Sequence, residues 1–453
     1  MSHIECDTSR RQLIRSLFCG SVMMPAVFSH LITAEARGED NPLAPKAPHF
    51  AGKAKRVIFL FMTGGVSHVD SFDPKPRLRA EFEKGNTRYL PALWDFKPRG
   101  KSGTEVSELF PKIGACIDDI ALIRSMRGDH NDHFQATMGI HSGSVTVKRP
   151  SVGSWVTYGL GTLNQNLPAF VVLAPDLPYA GGQVWDSDFL PAVYQGTRVF
   201  PGKEPIPNLT RRALTEKIQE HELTLLERFN RRHLATRGAD PDLTARIKSY
   251  ETAFGMQREM PEALDLSKET DATLKLYGLE RGSTKGFAWQ CLVARRLAER
   301  GVRFIELIDV GASNNWDAHG DMKTHEPLAR NVDGAIAGLL KDLKSRGMLE
   351  ETLVVWTTEF GRSPTAEGKT GRGHYNKVYS SWLAGGGAKG GVVYGKSDEL
   401  GANVAENEVH VHDFHATILQ LLGFDHTKLT FRHAGRDFLL TDVHGRVVKV
   451  ILV

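Results

Sequence analysis

The stretch TLVVWTTEFGRSPTAEGKTGR, residues 352–372, decides the fold class, because an apolar run passes directly into a polar loop rich in glycine. The four apolar residues from Leu353 to Trp356 are typical of a strand that is buried on both faces of a sheet. In open α/β sheets, ligands bind beyond the carboxyl ends of the strands. The first candidate functional residues are therefore Glu359, Arg362 and His374, which follow this strand.

Four further apolar runs predict strands of the same kind, and each leads into a loop. They span residues 56–62, 119–125, 169–174 and 302–308. Shorter strands are expected near the sheet edge at 380–383 and 391–394. Between these runs, apolar residues recur at the spacing of a helix, most clearly at 327–346. Strands that alternate with helices predict an α/β fold with a mostly parallel central sheet and helices on both faces.

Residues 208–280 are predicted to form a helical insertion that caps the sheet, because they show helical periodicity and no convincing strand. Within this insertion, one apolar face of a long helix is predicted from the spacing of Leu214, Ile218, Leu225 and Phe229. The closing segment, with Gly445 between LLTDVH and RVVKVIL, predicts a C-terminal hairpin. We expect a single domain over residues 55–453 to contain these elements.

Residues 1–36 are typical of a targeting signal. Arg10 and Arg11 in SRRQLIR resemble the twin-arginine export signal, and a weakly apolar run and small residues follow up to Ala36. An amphipathic start to a cytosolic domain and a lipid anchor at Cys19 are the alternatives. Residues 37–54, rich in Pro, Ala and Lys, are predicted to be a linker. We expect the twin-arginine machinery to export the chain to the periplasm or beyond, without a membrane span in the mature part.

The composition points to a small-molecule partner. The 453 residues carry a formal charge of only +4, with 57 basic and 53 acidic residues, so no basic excess favours nucleic acid or an anionic membrane. After removal of the signal, only Cys116 and Cys291 remain. They allow one disulfide at most, and two buried free thiols are an equally good interpretation.

Histidines and carboxylates gather after the ends of the predicted strands. A lone histidine is usually structural, but repeated His with Asp or Glu at one edge of a sheet is the composition of a metal site. Imidazole and carboxylate together favour zinc, manganese or iron, and we also retain calcium as a candidate. The histidines concerned are His68, His130, His133, His141, His319, His325, His374, His410, His412 and His415.

Several motifs resemble the sulfatase and alkaline phosphatase superfamily. TLVVWTTEFGR is similar to its TLVIFTSD segment, which leads into two metal-site residues, and VHDFHATILQLLGF at 411–424 resembles its late helix. GGVSHVDSFDPKP, NNWDAHGD, TEFGRSP and LAGGGAKGG together resemble an uncharacterised, exported, sulfatase-like branch, domain of unknown function 1501. The resemblance implies an alkaline-phosphatase-like domain across nearly the whole mature chain.

The superfamily pattern transfers imperfectly to this chain. Glu359 stands where a metal-binding Asp is expected, and Phe360 replaces the His or Asn that follows it. The usual Asp after the first strand is missing, so that His68, Asp70 or Asp73 would have to replace it. The alignment puts a histidine, His133, at the position of the nucleophile, and the Cys-x-Pro-x-Arg motif is absent. Formylglycine chemistry is therefore not expected.

Together these observations predict an exported, metal-dependent hydrolase of a phosphate or sulfate ester, with a small-molecule or saccharide substrate. Arg362 is expected to hold the anionic group, and His133 and His374 to take part in catalysis. A non-catalytic binding or assembly protein on the same fold is the alternative, favoured by the missing nucleophile. The predicted metal ligands are Asp317, His319, Glu359 and His133, and further His68, Asp70, His374 and His412.

Overall fold

The computed structural model describes residues 41–202, 204–207, 209, 215–237 and 241–453. The predicted export signal lies outside these residues. The described part of the predicted linker, residues 41–54, packs against the domain: Leu43 is buried, and Lys46 Nζ donates a hydrogen bond of 2.8 Å to the Tyr158 carbonyl. No helix among the described residues combines the length and the apolar character that a bilayer crossing requires.

A nine-stranded sheet organises the domain. In chain order the strands are β1 (Arg56–Phe61), β2 (Ile120–Arg127), β3 (Phe170–Leu173), β4 (Thr197–Val199), β5 (Phe304–Ile308), β6 (Thr352–Thr357), β7 (Tyr379–Ala384), β8 (Val392–Tyr394) and β9 (Val409–His410). The strand order in the sheet is β8-β2-β7-β6-β1-β5-β3-β4, and β9 also pairs with β2.

The sheet is mostly parallel, as predicted. β1 lies between β5 and β6 and runs parallel to both, with Phe59 opposite Glu306 and Val355. β7 is the exception, because it runs antiparallel to both β2 and β6. The prediction that residues 380–383 lie near the sheet edge was wrong: every residue of β7 is buried between two neighbouring strands. β8 does lie at the edge.

Helices cover both faces of the sheet. The α-helices of the described residues are α1 (His68–Ser71), α2 (Pro76–Glu83), α3 (Pro111–Gly114), α4 (His133–Ser142), α5 (Val152–Leu160), α6 (Glu216–Arg237), α7 (Pro241–Leu264), α8 (Asp271–Tyr277), α9 (Phe287–Glu299), α10 (His325–Ser345) and α11 (Val411–Leu421). Ile58 and Leu60 of β1 face the core that contains α9 and α10. Phe59 and Phe61 face the core that contains α5 and α11.

The region predicted as a helical insertion, residues 208–280, contains α6, α7 and α8. The predicted apolar face of α6 is not buried: Ile218, Leu225 and Phe229 are 42%, 54% and 60% exposed. Leu214 lies outside the described residues. Helical spacing identified the helix correctly, but the spacing does not tell which neighbour, if any, covers its apolar side.

A C-terminal hairpin is present, but it comes earlier than the segment around Gly445. Phe431–His433 pairs with Arg436–Phe438 in an antiparallel hairpin. The turn contains Ala434 and Gly435, both with positive φ. The final residues instead return to the domain, where Ile451 is buried. Both remaining cysteines, Cys116 and Cys291, are free and buried.

Candidate metal centre

Loops at the carboxyl edge of the sheet bring three imidazoles and one carboxylate together. His133 is the first residue of α4, which follows β2. Asp317 and His319 lie in the loop after β5. His374 lies in the antiparallel hairpin that follows β6 and pairs with Arg362 there. The sequence placed each of these histidines and Asp317 after a strand, and parallel strands end at a common edge.

The ring nitrogens of these histidines converge on Asp317. Its Oδ1 lies 2.9 Å from His319 Nε2 and 3.2 Å from His374 Nε2. Its Oδ2 lies 3.3 Å from His133 Nε2. His319 Nε2 and His374 Nε2 are 2.8 Å apart. Ligand atoms of His133, Asp317 and His374 all lie within 4.8 Å of one another. We call these four side chains the cluster.

The other ring nitrogen of each histidine, Nδ1, is held by an oxygen that only accepts hydrogen bonds. These acceptors are Glu359 Oε1 for His133, Glu367 Oε1 for His319 and the Asn131 carbonyl for His374, each at 2.8 Å. Each Nδ1 is therefore the donor, and in a neutral imidazole Nε2 then carries a lone pair. Three such lone pairs and a carboxylate that face one another form a donor set that fits a metal ion.

Glu359 lies behind His133. Besides His133, its carboxylate accepts hydrogen bonds from Gly64 N at 2.8 and 3.1 Å and from Thr358 Oγ1 at 3.1 Å. Glu359 is only 1% exposed. Glu359 was predicted to be a metal ligand. In the structure its carboxylate instead orients the His133 ring and accepts hydrogen bonds from the backbone after β1.

Arg362 is fully buried, and its guanidinium group hydrogen bonds to oxygen atoms of the protein. It donates to the Gly65 carbonyl at 2.9 Å, to the Arg372 carbonyl at 3.2 Å and to the Gly64 carbonyl. It also pairs with Asp317 Oδ1 at 2.6 Å. The expected contact between Arg362 and an anionic substrate would require some of these bonds to break.

The charges of the centre favour a cation. Burial acts to raise the pKa of Asp317, but His133, His374 and Arg362 outweigh it and hold that pKa well below its usual range. Burial alone would lower the pKa of His133, and its bonds to Asp317 and Glu359 reverse the change. With neutral imidazoles, the carboxylates of Asp317 and Glu359 and the guanidinium of Arg362 carry a net negative charge, which a dication would offset.

The remaining predicted ligands lie outside the cluster. Asp70 pairs with Arg372 Nε at 2.7 Å, with both side chains fully buried. His68 Nε2 lies 2.9 Å from the Gly401 carbonyl, and His412 Nε2 lies 2.7 Å from the Gly143 carbonyl. Each of these side chains therefore has a partner of its own, and the structure does not bring it to Asp317.

Tyr179 was not predicted from the sequence, and its ring stacks on His133 with a centroid distance of 3.9 Å and an interplanar angle of 7°. Asn315 and Glu367 were not predicted either, and they hydrogen bond to Asp317 and His319. The only available signal for Tyr179 was its position after β3, at the same sheet edge. Phe360, which replaces a ligand of the superfamily pattern, packs against His133 at 4.9 Å.

A family model described as a protein of unknown function (DUF1501) matches residues 54–452. The chain belongs to the DUF1501 family. A comparison of this DUF1501 protein with curated proteins finds no match. The expected resemblance to this family is thereby confirmed.

Solved structures similar to this DUF1501 protein include the PsFucS1 sulfatase from Pseudoalteromonas sp., with 12% identity, a TM-score of 0.35, and coverage of 82% of this chain and 68% of that chain. Alkaline phosphatase from the Antarctic bacterium TAB5 shows 12% identity, a TM-score of 0.34, and coverage of 83% and 99%. The soluble domain of lipooligosaccharide phosphoethanolamine transferase A from Neisseria meningitidis shows 10% identity, a TM-score of 0.37, and coverage of 84% and 92%.

Proposed function

We propose that this DUF1501 protein is a metal-dependent hydrolase of phosphate or sulfate esters. The observation that supports this proposal is the convergence of three imidazole Nε2 atoms on Asp317. His133, Asp317 and His374 would hold the ion, and His319 would close the group on its more exposed side. Imidazole donors favour zinc or iron, the carboxylate also suits manganese, and calcium prefers a set made of oxygen ligands.

A metal ion bound there would lower the pKa of a water ligand and shield the ester oxygens. Neighbouring side chains would hold the ligands of this site in position. Glu359 and Glu367 orient His133 and His319 through their Nδ1 atoms. Arg362 holds Asp317 from the buried side. The proposed substrate is a small-molecule or saccharide ester with an anionic group.

We also propose that the chain is exported by the twin-arginine pathway to the periplasm or beyond. The paired Arg10 and Arg11 and the weakly apolar run that follows them support this proposal. Export after folding would let the ion be loaded in the cytoplasm, before the chain leaves it.

A second candidate function is the binding of an anionic ligand without turnover. In the described residues, no serine, threonine or cysteine side chain hydrogen bonds to any of the four cluster side chains, so a protein nucleophile is not evident. Hydrolysis by a metal-bound water would not need one. Binding without turnover would retain the metal centre and lack the reaction.

The two functions separate in one experiment. The purified protein is loaded with zinc or manganese, its metal content is measured, and aryl phosphates and aryl sulfates are offered as substrates. The hydrolase proposal expects bound metal and turnover that is lost in Asp317→Asn but kept in Asp437→Asn, a matched change at an exposed surface pair. Bound metal without turnover of any ester would favour the binding function, and protein that takes up no metal would refute both.

A further inference from the structure

Tyr179 has a fixed position over the cluster. Its ring lies parallel to the His133 imidazole at a centroid distance of 3.9 Å, and His133 itself is fixed by Glu359 and Asp317. Parallel contact over this distance leaves little room for the ring to move sideways without losing packing. Tyr179 therefore stays beside the histidine whose Nε2 faces Asp317.

The Tyr179 hydroxyl is joined to the loop that carries Asp317. It accepts a hydrogen bond of 3.1 Å from Asn315 Nδ2, which also donates to the Gly311 carbonyl at 3.2 Å. The Oδ1 atom of the same amide accepts a bond of 3.0 Å from Asp317 N. Asn315 is buried, so its one amide group fixes the positions of both the Tyr179 hydroxyl and the Asp317 backbone.

This arrangement leaves the hydrogen of the Tyr179 hydroxyl available. A hydroxyl that accepts from an amide still has one O–H to donate. Among the described residues, the hydroxyl hydrogen bonds only to the Asn315 amide, which is a donor. The side chain is only partly buried, so its donor can reach a bound molecule.

Arg362 cannot offer a comparable donor to a bound anion. It is fully buried and bonded to Asp317 and to three backbone carbonyls. We propose that the Tyr179 hydroxyl, and not Arg362, donates a hydrogen bond to a non-bridging oxygen of the phosphate or sulfate group at the cluster. This assignment rests on the proposed hydrolase function, and no proton is transferred in the contact.

The test uses Tyr179→Phe, which keeps the ring that stacks on His133 and removes only the hydroxyl. Binding of orthophosphate to the zinc-loaded protein is measured by calorimetry, together with zinc content and kcat/KM for an aryl ester. A hydrogen bond to a charged group predicts about tenfold weaker phosphate binding or more, with unchanged zinc content. Loss of one preorganised donor predicts a fall in kcat/KM of roughly ten- to a thousandfold.

Tyr158→Phe is the matched control, because its hydroxyl donates to the Thr430 carbonyl at 2.9 Å and makes no contact with the cluster. It should bind zinc and phosphate as the parent does. Parental phosphate affinity in Tyr179→Phe would overturn this assignment and leave the hydrolase proposal standing. A parent protein that binds zinc but neither binds orthophosphate nor cleaves any ester would overturn both.

Discussion

Nε2 of His319 lies 2.8 Å from Nε2 of His374, and the Nδ1 atom of each ring already donates to an oxygen. Two lone pairs at this distance repel unless a positive charge lies between or beside them. Asp317 Oδ1 lies within 3.2 Å of both nitrogens. The pair thus marks the place where a metal ion or a shared proton would stabilise the cluster.

Glu359→Gln should weaken metal binding without abolishing it. Glutamine keeps the size of the side chain but removes the charge behind His133, and loss of such an orienting partner lowers affinity by roughly ten- to a hundredfold. Calorimetric metal titration measures the change. Glu367→Gln is the control, because it makes the same kind of contact with His319 at an exposed position and should have a smaller effect. Complete loss of binding would instead make Glu359 a direct ligand, and full affinity would remove its orienting role.

Asp70→Asn should destabilise the fold and leave the metal content unchanged. Asp70 and Arg372 are fully buried and paired, so removal of one charge should cost about 3–5 kcal/mol of unfolding free energy. The double variant Asp70→Asn with Arg372→Met should recover part of that loss, because neither charge is then left alone. Denaturant unfolding measures the stabilities. A drop in metal content in well-folded Asp70→Asn would show that Asp70 is a ligand after all.

His415 should make the fold sensitive to acid. Burial lowers its pKa to about 3, the neighbouring histidines add to this, and its bond to the Ile140 carbonyl opposes it. Since the pKa of histidine in the unfolded chain is 6.5, the stabilising contribution is complete above that pH and is lost as the pH falls towards 3. The loss is on the order of 5 kcal/mol.

The measurement for His415 is the unfolding free energy of the parent and of His415→Gln between pH 7 and about 4. The slope with pH should be smaller in the variant, whatever its absolute stability. His221→Gln, at an exposed position of α6, should keep the parental slope. Equal slopes in the parent and in His415→Gln would mean that His415 does not stay neutral in the fold.

Replacing Arg10 and Arg11 by lysine should leave the chain in the cytoplasm as a precursor. The export receptor reads the paired guanidinium groups, which lysine does not reproduce. Cell fractionation with detection of precursor and mature forms measures the effect, and replacement of Arg15 alone by lysine serves as the control. Normal appearance of the double variant outside the cytoplasm would contradict twin-arginine export.

The central sheet could be predicted from the sequence because its main strands are continuous apolar runs, such as Leu353 to Trp356. The grouping of Asp317 with His133 and His374 followed from their positions after strands that end at one edge. The spacing of apolar residues along the chain is sufficient to predict each strand and therefore the position of the loop that follows it.

The direction of a side chain beyond the end of a strand depends on distant parts of the chain. Glu359 turns towards Gly64 N and His133, and Arg362 turns inwards to the carbonyls of Gly64 and Gly65, which are far away in sequence. Tyr179 reaches His133 from a loop without any motif. Such contacts exist only after the strands have paired, so no local pattern could reveal them.

The most direct test of the metal centre is the metal content of the purified protein after loading with zinc or manganese and removal of free ions, measured by inductively coupled plasma mass spectrometry. Parent protein should retain about one ion per chain, and Asp317→Ala and His374→Ala should retain far less while their circular dichroism stays parental. A parent that retains no ion, or variants that retain as much as the parent, would contradict the proposal that this cluster binds metal.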